Sequence, residues 1–275
     1  MPELPEVETV KRGLEPILAG RKLAAVKSSG LKLRAPLPEK LENRLIGRTI
    51  KILTRRAKFL LLHLDDGMVL IVHLGMSGRM NIVTPNAVTD RHDHLILDTD
   101  DNVRVIFRDP RRFGLLALAS GNELSTHPLL GDLGPEPLED DFDGTALLNR
   151  LGNKKGPIKP TLLDQTVVAG IGNIYASEAL FRARIDPKRP AGALQKKEAD
   201  LLAKSIRDIL NEAIESGGST LRDHARPDGE LGYFQHHFNV YAKEGQPCPG
   251  CDCGESIKRI VQGGRSTFYC AKRQS

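Results

Sequence analysis

No apolar run in these 275 residues approaches the roughly 20 that a membrane-crossing helix needs. The opening stretch, Met1-Pro2-Glu3-Leu4-Pro5-Glu6-Val7-Glu8, is acidic and carries prolines, unlike a secretion signal. These absences argue against a membrane protein and make the cytoplasm the expected compartment. Cysteine is scarce too, with four in the chain, all between Cys248 and Cys270. Without an export signal, so tight a cluster argues for metal ligation over disulfides. An acidic excess is also missing: 40 Lys and Arg stand against 35 Asp and Glu, giving +5 and a pI near 9.0, which suits a polyanionic partner.

What is present is segregated by segment. Arg55, Arg56 and Lys58 fall together, as do Arg104, Arg108, Arg111 and Arg112, then Arg150, Lys154, Lys155 and Lys159, then Lys258, Arg259 and Arg265. Glu136, Glu139, Asp140, Asp141 and Asp143 form an acidic block. Such segregation is expected if basic elements share one face, whereas any single cluster could equally be a solvated surface. At 40% hydrophobic, the chain is long enough for two domains, each with its own core.

The first eight residues hold the candidate nucleophile. Once Met1 is removed, the chain begins with the secondary amine of Pro2 beside the Glu3 carboxylate. An α-amino group titrates near ~7.7–8.0, against ~10.4 for a lysine ammonium, so much more of it is free base at neutral pH. Pro5 suits a first helical position, Glu6 and Glu8 suit a first turn, and Val7, Val10, Leu14, Ile17 and Leu18 follow at helical spacing. The positive end of that helix would lower the pKa of a nearby amine further. A secondary amine attacking C1′ of a deoxyribose gives an iminium that cannot discharge by deprotonation and acts as an electron sink. The plain alternative is a helix cap on an inert terminus.

From about Lys22 to Ser120 the chain reads as strands at 23–26, 49–53, 59–64, 68–73, 94–97, 103–107 and 115–119, a mostly antiparallel sandwich or flattened barrel. Two connections are unusual. His73-Leu74-Gly75-Met76-Ser77-Gly78-Arg79-Met80 sets a flexible apolar side chain between glycines, and Arg108-Asp109-Pro110-Arg111-Arg112-Phe113-Gly114 sets two guanidinium groups and a ring on a proline-started turn. Basic residues beside an exposed ring can grip phosphates and fill a gap in a base stack, although lone Met and Phe side chains are more often core. Residues 132–144 read as a linker, and helical patterns come after it at 145–151, 160–165, 174–185 and 196–216. The turn Val167-Val168-Ala169-Gly170-Ile171-Gly172-Asn173 offers backbone N–H groups and a capping Asn173, either as an anion site or as a tight connection. Lys155 and Lys159 lie just upstream. After Cys248, Cys251 and Cys253, an alternating run, a Gln262-Gly263-Gly264-Arg265 turn and Thr267-Phe268-Tyr269-Cys270 make a β-hairpin with thiols at its base and Arg265 at its tip.

Taken together, these motifs resemble the formamidopyrimidine-DNA glycosylase family, bacterial enzymes that remove oxidised purines such as 8-oxoguanine. The resemblance covers nearly the whole chain: Pro2 to Glu8, Lys58, the His73 to Gly78 turn, Arg91-His92-Asp93-His94, Asp109 to Gly114, Gly172-Asn173-Ile174-Tyr175-Ala176-Ser177-Glu178 and the cysteine hairpin. It implies an α+β fold: an N-terminal antiparallel β-sandwich flanked by helices (1–131), a linker (132–144), a helix–two-turn–helix bundle (145–235) and a β-hairpin zinc finger (236–275). It implies a bifunctional glycosylase and AP lyase, a monomer acting on double-stranded DNA with oxidised purines. Pro2 would be the Schiff-base nucleophile, Glu3 the acid and base, Glu6 a helper, and Lys58 a DNA contact assisting β-elimination. Met76, Arg111 and Phe113 would fill the void left by the everted nucleotide. Guanidinium is donor-only, and cytosine offers O2 and N3 as acceptors, a physical reason for Arg111 to face that base. His92, Arg112, Lys155, Lys159, Asn173 and Arg265 would hold phosphates, Arg265 also assisting δ-elimination, and the stretch from Asp223 to Phe234 would cover the base.

One departure concerns the metal. The family's hairpin has two cysteines in each half, yet position 273 here is Arg273. The expectation is one structural Zn²⁺ on Cys248, Cys251, Cys253 and Cys270, with Cys251 replacing the ligand that the family's pattern would put at position 273; a three-thiolate site completed by water or another residue, or no zinc, are the alternatives. Two rivals to the main reading are the related endonuclease VIII type, against which Leu4 and the Arg-Arg-Phe turn speak, and a DNA-binding zinc protein without catalysis.

Overall fold

The computed structural model describes residues 1–219, 227–252 and 254–275. It divides into two compact units, Met1–Gly131 with Ser216–Gln235, and Asp132–Glu215 with His236–Ser275.

The first unit opens with α1 (Leu4–Leu18), where Val7, Val10, Leu14 and Leu18 fall on one face and are all buried. Pro5 costs nothing in the first turn, because its missing N–H would have had no helical partner. The helix is closed at its start by a reciprocal capping box between Glu3 and Glu6 and gives way at Ala19. Then come β1 (Leu23–Ser28), α2 (Leu41–Leu45), β2 (Ile50–Arg56), β3 (Phe59–Leu64), β4 (Met68–His73), β5 (Arg79–Val83), β6 (Asp93–Thr99), β7 (Arg104–Arg108) and β8 (Leu115–Ser120).

These strands form two four-stranded antiparallel sheets, ordered β1-β6-β7-β5 and β2-β3-β4-β8. Leucines 53, 60, 62 and 70 from one sheet, Leu97 and Phe107 from the other, and Leu14 and Leu18 of α1 share a single core. Each such fully buried leucine contributes ~1.5–3 kcal/mol of transfer free energy. The expected sandwich with flanking helices is therefore present, with two elements that the sequence pattern does not announce, β5 and α2.

In the second unit α3 (Gly144–Leu151), α4 (Ile158–Leu162), α5 (Asn173–Arg182) and α6 (Lys196–Glu215) precede the hairpin β9 (Lys258–Gln262) and β10 (Arg265–Tyr269). The last member of the acidic block, Asp143, caps α3 by accepting from the Ala146 N–H at 2.8 Å. The buried stripe of α6 receives α3 and α5. Gln165 staples the turn ahead of α5: its Nε2 donates to Ile171 O and its Oε1 accepts from Gly170 N–H, each at 3.0 Å. Gly263 (φ 55°) and Gly264 (φ 73°) are both left-handed, the backbone a two-residue hairpin turn demands.

His73 joins the β3–β4 pair to the glycine turn that carries Met76. It pairs with Phe59 across the sheet, its ring lies 4.9 Å from the Phe59 ring, and its Nδ1 accepts the Gly75 N–H at 3.0 Å. Burial first, then the Lys58 and Arg34 charges, pull its pKa from 6.5 down to about 4. The unfolded chain takes up this proton near pH 6.5 and the folded chain only near pH 4, so stability is full above the first value and declines between the two. Urea unfolding across this window is expected to show a loss of up to about 3 kcal/mol from this residue, and His73→Gln is expected to flatten it. An identical pH slope in the variant would contradict this.

Candidate nucleic-acid interface and cysteine cluster

Pro2, Glu3 and Glu6 are all buried, with Glu3 only 3% exposed, whereas Met1 ahead of them is half exposed. The terminus is thus seated and not frayed. Glu6 holds it from two sides: Oε2 accepts the Glu3 N–H at 2.8 Å, and Oε1 accepts both the N–H and the hydroxyl of Ser219, at 2.9 and 3.0 Å. Pro227 packs on the same helix, since a Cβ on Gly13 would come within 2.9 Å of its ring. Of the stretch expected to cover the base, residues 223–226 lie outside the described residues.

Lys58 sits in the tight β2–β3 turn, 6% exposed, after Ala57 with φ 52°. Arg55, which in the sequence is only one of a basic group, fastens this turn to α1. Its Nε donates to Glu8 Oε2 at 3.1 Å and its Nη1 to Ala57 O at 3.0 Å. Nothing in its one-dimensional context distinguishes it from Arg56, because the signal is a contact across 47 residues. Phe59, the residue after Lys58, pairs with His73, so the Lys58 turn adjoins the strand leading to Met76.

The two unusual connections come together. Met76 is 40% exposed, Phe113 is 44% exposed, and Arg111 is exposed with its guanidinium 4.9 Å from the Phe113 ring centroid. None of the three is core, so two apolar tips and a cation share one surface. Arg112, exposed, takes a left-handed φ of 55°. His92 is half-buried, its N–H donating to Asp90 Oδ1 at 2.8 Å and its Nε2 accepting from Arg91 Nε at 3.1 Å.

In the second unit Lys155 and Arg265 are exposed and Asn173 is partly so. Lys159, expected to hold a phosphate, is 0% exposed. Its ammonium donates to Asn173 Oδ1 and to Ser266 O, and Asn173 Nδ2 donates to the same carbonyl at 3.0 Å. Lysine and asparagine together clamp β10 one residue from Arg265. Glu178, for which its sequence context suggests no role, is fully buried and accepts from the backbone N–H groups of Asn239, Val240 and Tyr241 at 2.7–2.9 Å. It fixes the chain leading into the hairpin.

Cys248, Cys251 and Cys270 bring their sulfurs within 4.8 Å of one another. Cys251 Sγ lies 3.5 Å from that of Cys248 and 4.0 Å from that of Cys270. Tetrahedral thiolates at the ~2.3 Å of a Zn–S bond stand ~3.8 Å apart, so the three fit one such ion. Cys253 lies outside the described residues. Arg273 is turned to other work: its guanidinium stacks 4.9 Å from the Phe181 ring centroid and donates to Gly250 O, while its backbone N–H points to Cys270 Sγ at 3.4 Å.

Residues 1–116 match the formamidopyrimidine-DNA glycosylase N-terminal domain, and residues 133–225 match the H2TH domain of the same family. A formamidopyrimidine-DNA glycosylase of Rhodospirillum rubrum is 54% identical over 280 residues, with all of both chains covered, and one of Cereibacter sphaeroides is 50% identical over 282. Among crystal structures, wild-type Lactococcus lactis Fpg (MutM) in complex with N7-benzyl-Fapy-dG-containing DNA aligns with a TM-score of 0.90 at 37% identity, covering 99% of each chain. The MutM (FPG) protein of Thermus thermophilus aligns at 0.86 and 41%, covering 99% of this chain and 98% of that one. With both domain models matched in order and whole-length relatives at about half identity, this chain belongs to the formamidopyrimidine-DNA glycosylase family.

Proposed function

We propose that this protein is a DNA glycosylase of base excision repair that removes oxidised purines, 8-oxoguanine and formamidopyrimidines, from duplex DNA, and that it cleaves the resulting abasic site as a lyase. The observation that carries this reading is the seated start of α1, where Pro2 and Glu3 are buried side by side and Glu6 binds both Glu3 and Ser219. A nucleophile needs a fixed line of attack, and a frayed terminus would not supply one.

Removal of the exposed Met1 frees the secondary amine of Pro2. Its nitrogen forms a bond to C1′ of the damaged nucleotide as the bond to the base breaks, the base leaving with a proton. Glu3 moves protons to and from the opening sugar. The resulting iminium accepts the electron pair released when a C2′ proton is removed, and the 3′-phosphate departs; Lys58 assists this step, and Arg265 assists loss of the 5′-phosphate.

The target must first leave the stack, because C1′ is inaccessible inside it. Met76, Arg111 and Phe113 occupy the vacated space, and Arg111 donates to the Watson–Crick edge of the opposing cytosine. His92, Arg112, Lys155, Asn173 and Arg265 grip phosphates, while buried Lys159 orients Asn173 and the hairpin tip. The protein works as a monomer. One Zn²⁺ on the thiolates of Cys248, Cys251, Cys253 and Cys270 would add to the small apolar cluster of Phe181, Val240, Ile257 and Phe268 in holding the hairpin.

Borohydride reduction during turnover is expected to link the native protein covalently to 8-oxoguanine DNA, and Pro2→Gly, which leaves only a primary terminal amine, is expected to lower the adduct yield severely. An adduct of undiminished yield in that variant, bonded anywhere but the chain terminus, would place the nucleophile elsewhere. Metal analysis of purified protein is expected to return one zinc per chain, and Cys251→Ser to lower that content; well under one in the native protein would refute the four-thiolate site.

A further inference from the structure

The exposed tips of the Met76 and Arg111–Phe113 turns stand on a buried lock to which the chemistry above assigns nothing. Asp109, 0% exposed, accepts the Ser77 hydroxyl at Oδ1 (2.5 Å) and the Gly114 N–H at Oδ2 (2.7 Å). The Ser77 oxygen in turn accepts the Arg111 N–H at 3.3 Å. The Ser77 hydroxyl therefore joins the turn that carries Met76 to the start of the turn that carries Arg111 and Phe113, and Asp109 ties that start to its end at Gly114.

The backbone of Asp109 is tied on the other side. Its N–H donates to His92 O at 2.9 Å, and its carbonyl lies 3.0 Å from His94 Nε2. A carbonyl only accepts, so His94 carries its proton on Nε2, and its Nδ1 accepts from the Ser29 hydroxyl at 3.0 Å. Steric fit completes the lock. Gly75 is left-handed, and a Cβ there would fall 2.5 Å from the Gly114 nitrogen. A Cβ on Gly78 would come within 2.9 Å of the Phe107 ring and one on Gly114 within 2.6 Å, so both turns are seated on the same buried side chain.

We infer that Ser77 and Asp109 are positioning residues that make Met76, Arg111 and Phe113 a single preformed wedge, entering the duplex together, so that reading the opposing base is coupled to filling the gap. This rests on the DNA-opening role proposed above. The physical advantage is preorganisation: side chains already held in their working geometry lose little freedom on binding. Removing the Ser77 oxygen leaves the Asp109–Gly114 bond and the packing of Gly75 against Gly114 intact but frees the Arg111 backbone and removes the Ser77 hydrogen bonds that join the two turns.

The test is a double-mutant cycle between Ser77→Ala and Arg111→Ala, reading kcat/KM for 8-oxoguanine paired with cytosine relative to adenine. Ser77→Ala is expected to lower that preference about tenfold, the size of one lost hydrogen bond, and to lower the melting temperature by a few degrees, because the buried Asp109 carboxylate loses a donor. In the Arg111→Ala background the same change is expected to add nothing, whereas a merely structural role would lower activity against both pairs alike. Asp109→Asn, which keeps size but can accept from only one of the two donors, the Ser77 hydroxyl or the Gly114 N–H, goes through the same cycle should Ser77→Ala fail to fold. A folded variant that keeps full preference, or effects that add in the double mutant, would overturn the inference. Borohydride trapping on single-stranded abasic DNA separates the two levels: an adduct formed by native protein and Ser77→Ala alike confines such a failure to the wedge, while no adduct from native protein overturns the glycosylase–lyase reading beneath it.

Discussion

The buried carboxylate of Glu6 is the fixed point of the first unit. An acidic side chain out of water needs donors for its lone pairs, and it finds them in the Glu3 N–H, the Ser219 N–H and the Ser219 hydroxyl. Those three bonds seat the beginning of the chain and bring residues from more than 200 positions away against α1. Burial of Val7, Val10, Leu14 and Leu18 carries the energetic weight, and Glu6 sets the direction in which the terminus points. The chemistry proposed for Pro2 depends on that direction.

Around this point the side chains sort into those that act and those that hold. Arg55 keeps the Lys58 turn on α1, Asp109 and Ser77 keep two surface turns together, Lys159 keeps Asn173 beside the hairpin, and Glu178 keeps the chain entering it. Each is a charged or hydroxyl group buried with its partners, where an unmade bond costs most. Of the residues expected to meet DNA, Lys58 and Lys159 are buried, whereas Met76, His92, Arg111, Arg112, Phe113, Lys155, Asn173 and Arg265 are exposed or partly exposed.

Much of this is legible in the sequence where periodicity or spacing carries it. The stripe from Val7 to Leu18, the leucine and valine runs of β3 and β4 and the face of α6 each repeat with the period of the element they form. β5 escapes because Arg79-Met80-Asn81-Ile82-Val83 begins in a glycine turn and alternates too briefly, and α2 because five residues hold barely one helical turn. Lys159 looks like its neighbours Lys154 and Lys155, since a string of basic residues does not show which one points inward. The same blindness hides Arg55 and Ser77, whose partners lie 47 and 32 residues away. Arg273 stands out in the sequence for what it replaces; its stacking on Phe181 and its bond to Gly250 are tertiary facts that no spacing encodes.

The central claim is that the chain's own leading imino group becomes bonded to the sugar. Tandem mass spectrometry of the peptide released from a reduced protein–DNA adduct tests it most directly. The account predicts a peptide that lacks Met1 and carries the added sugar mass on Pro2. The mass located on Lys58 or another lysine, or found on a peptide that still retains Met1, would contradict it.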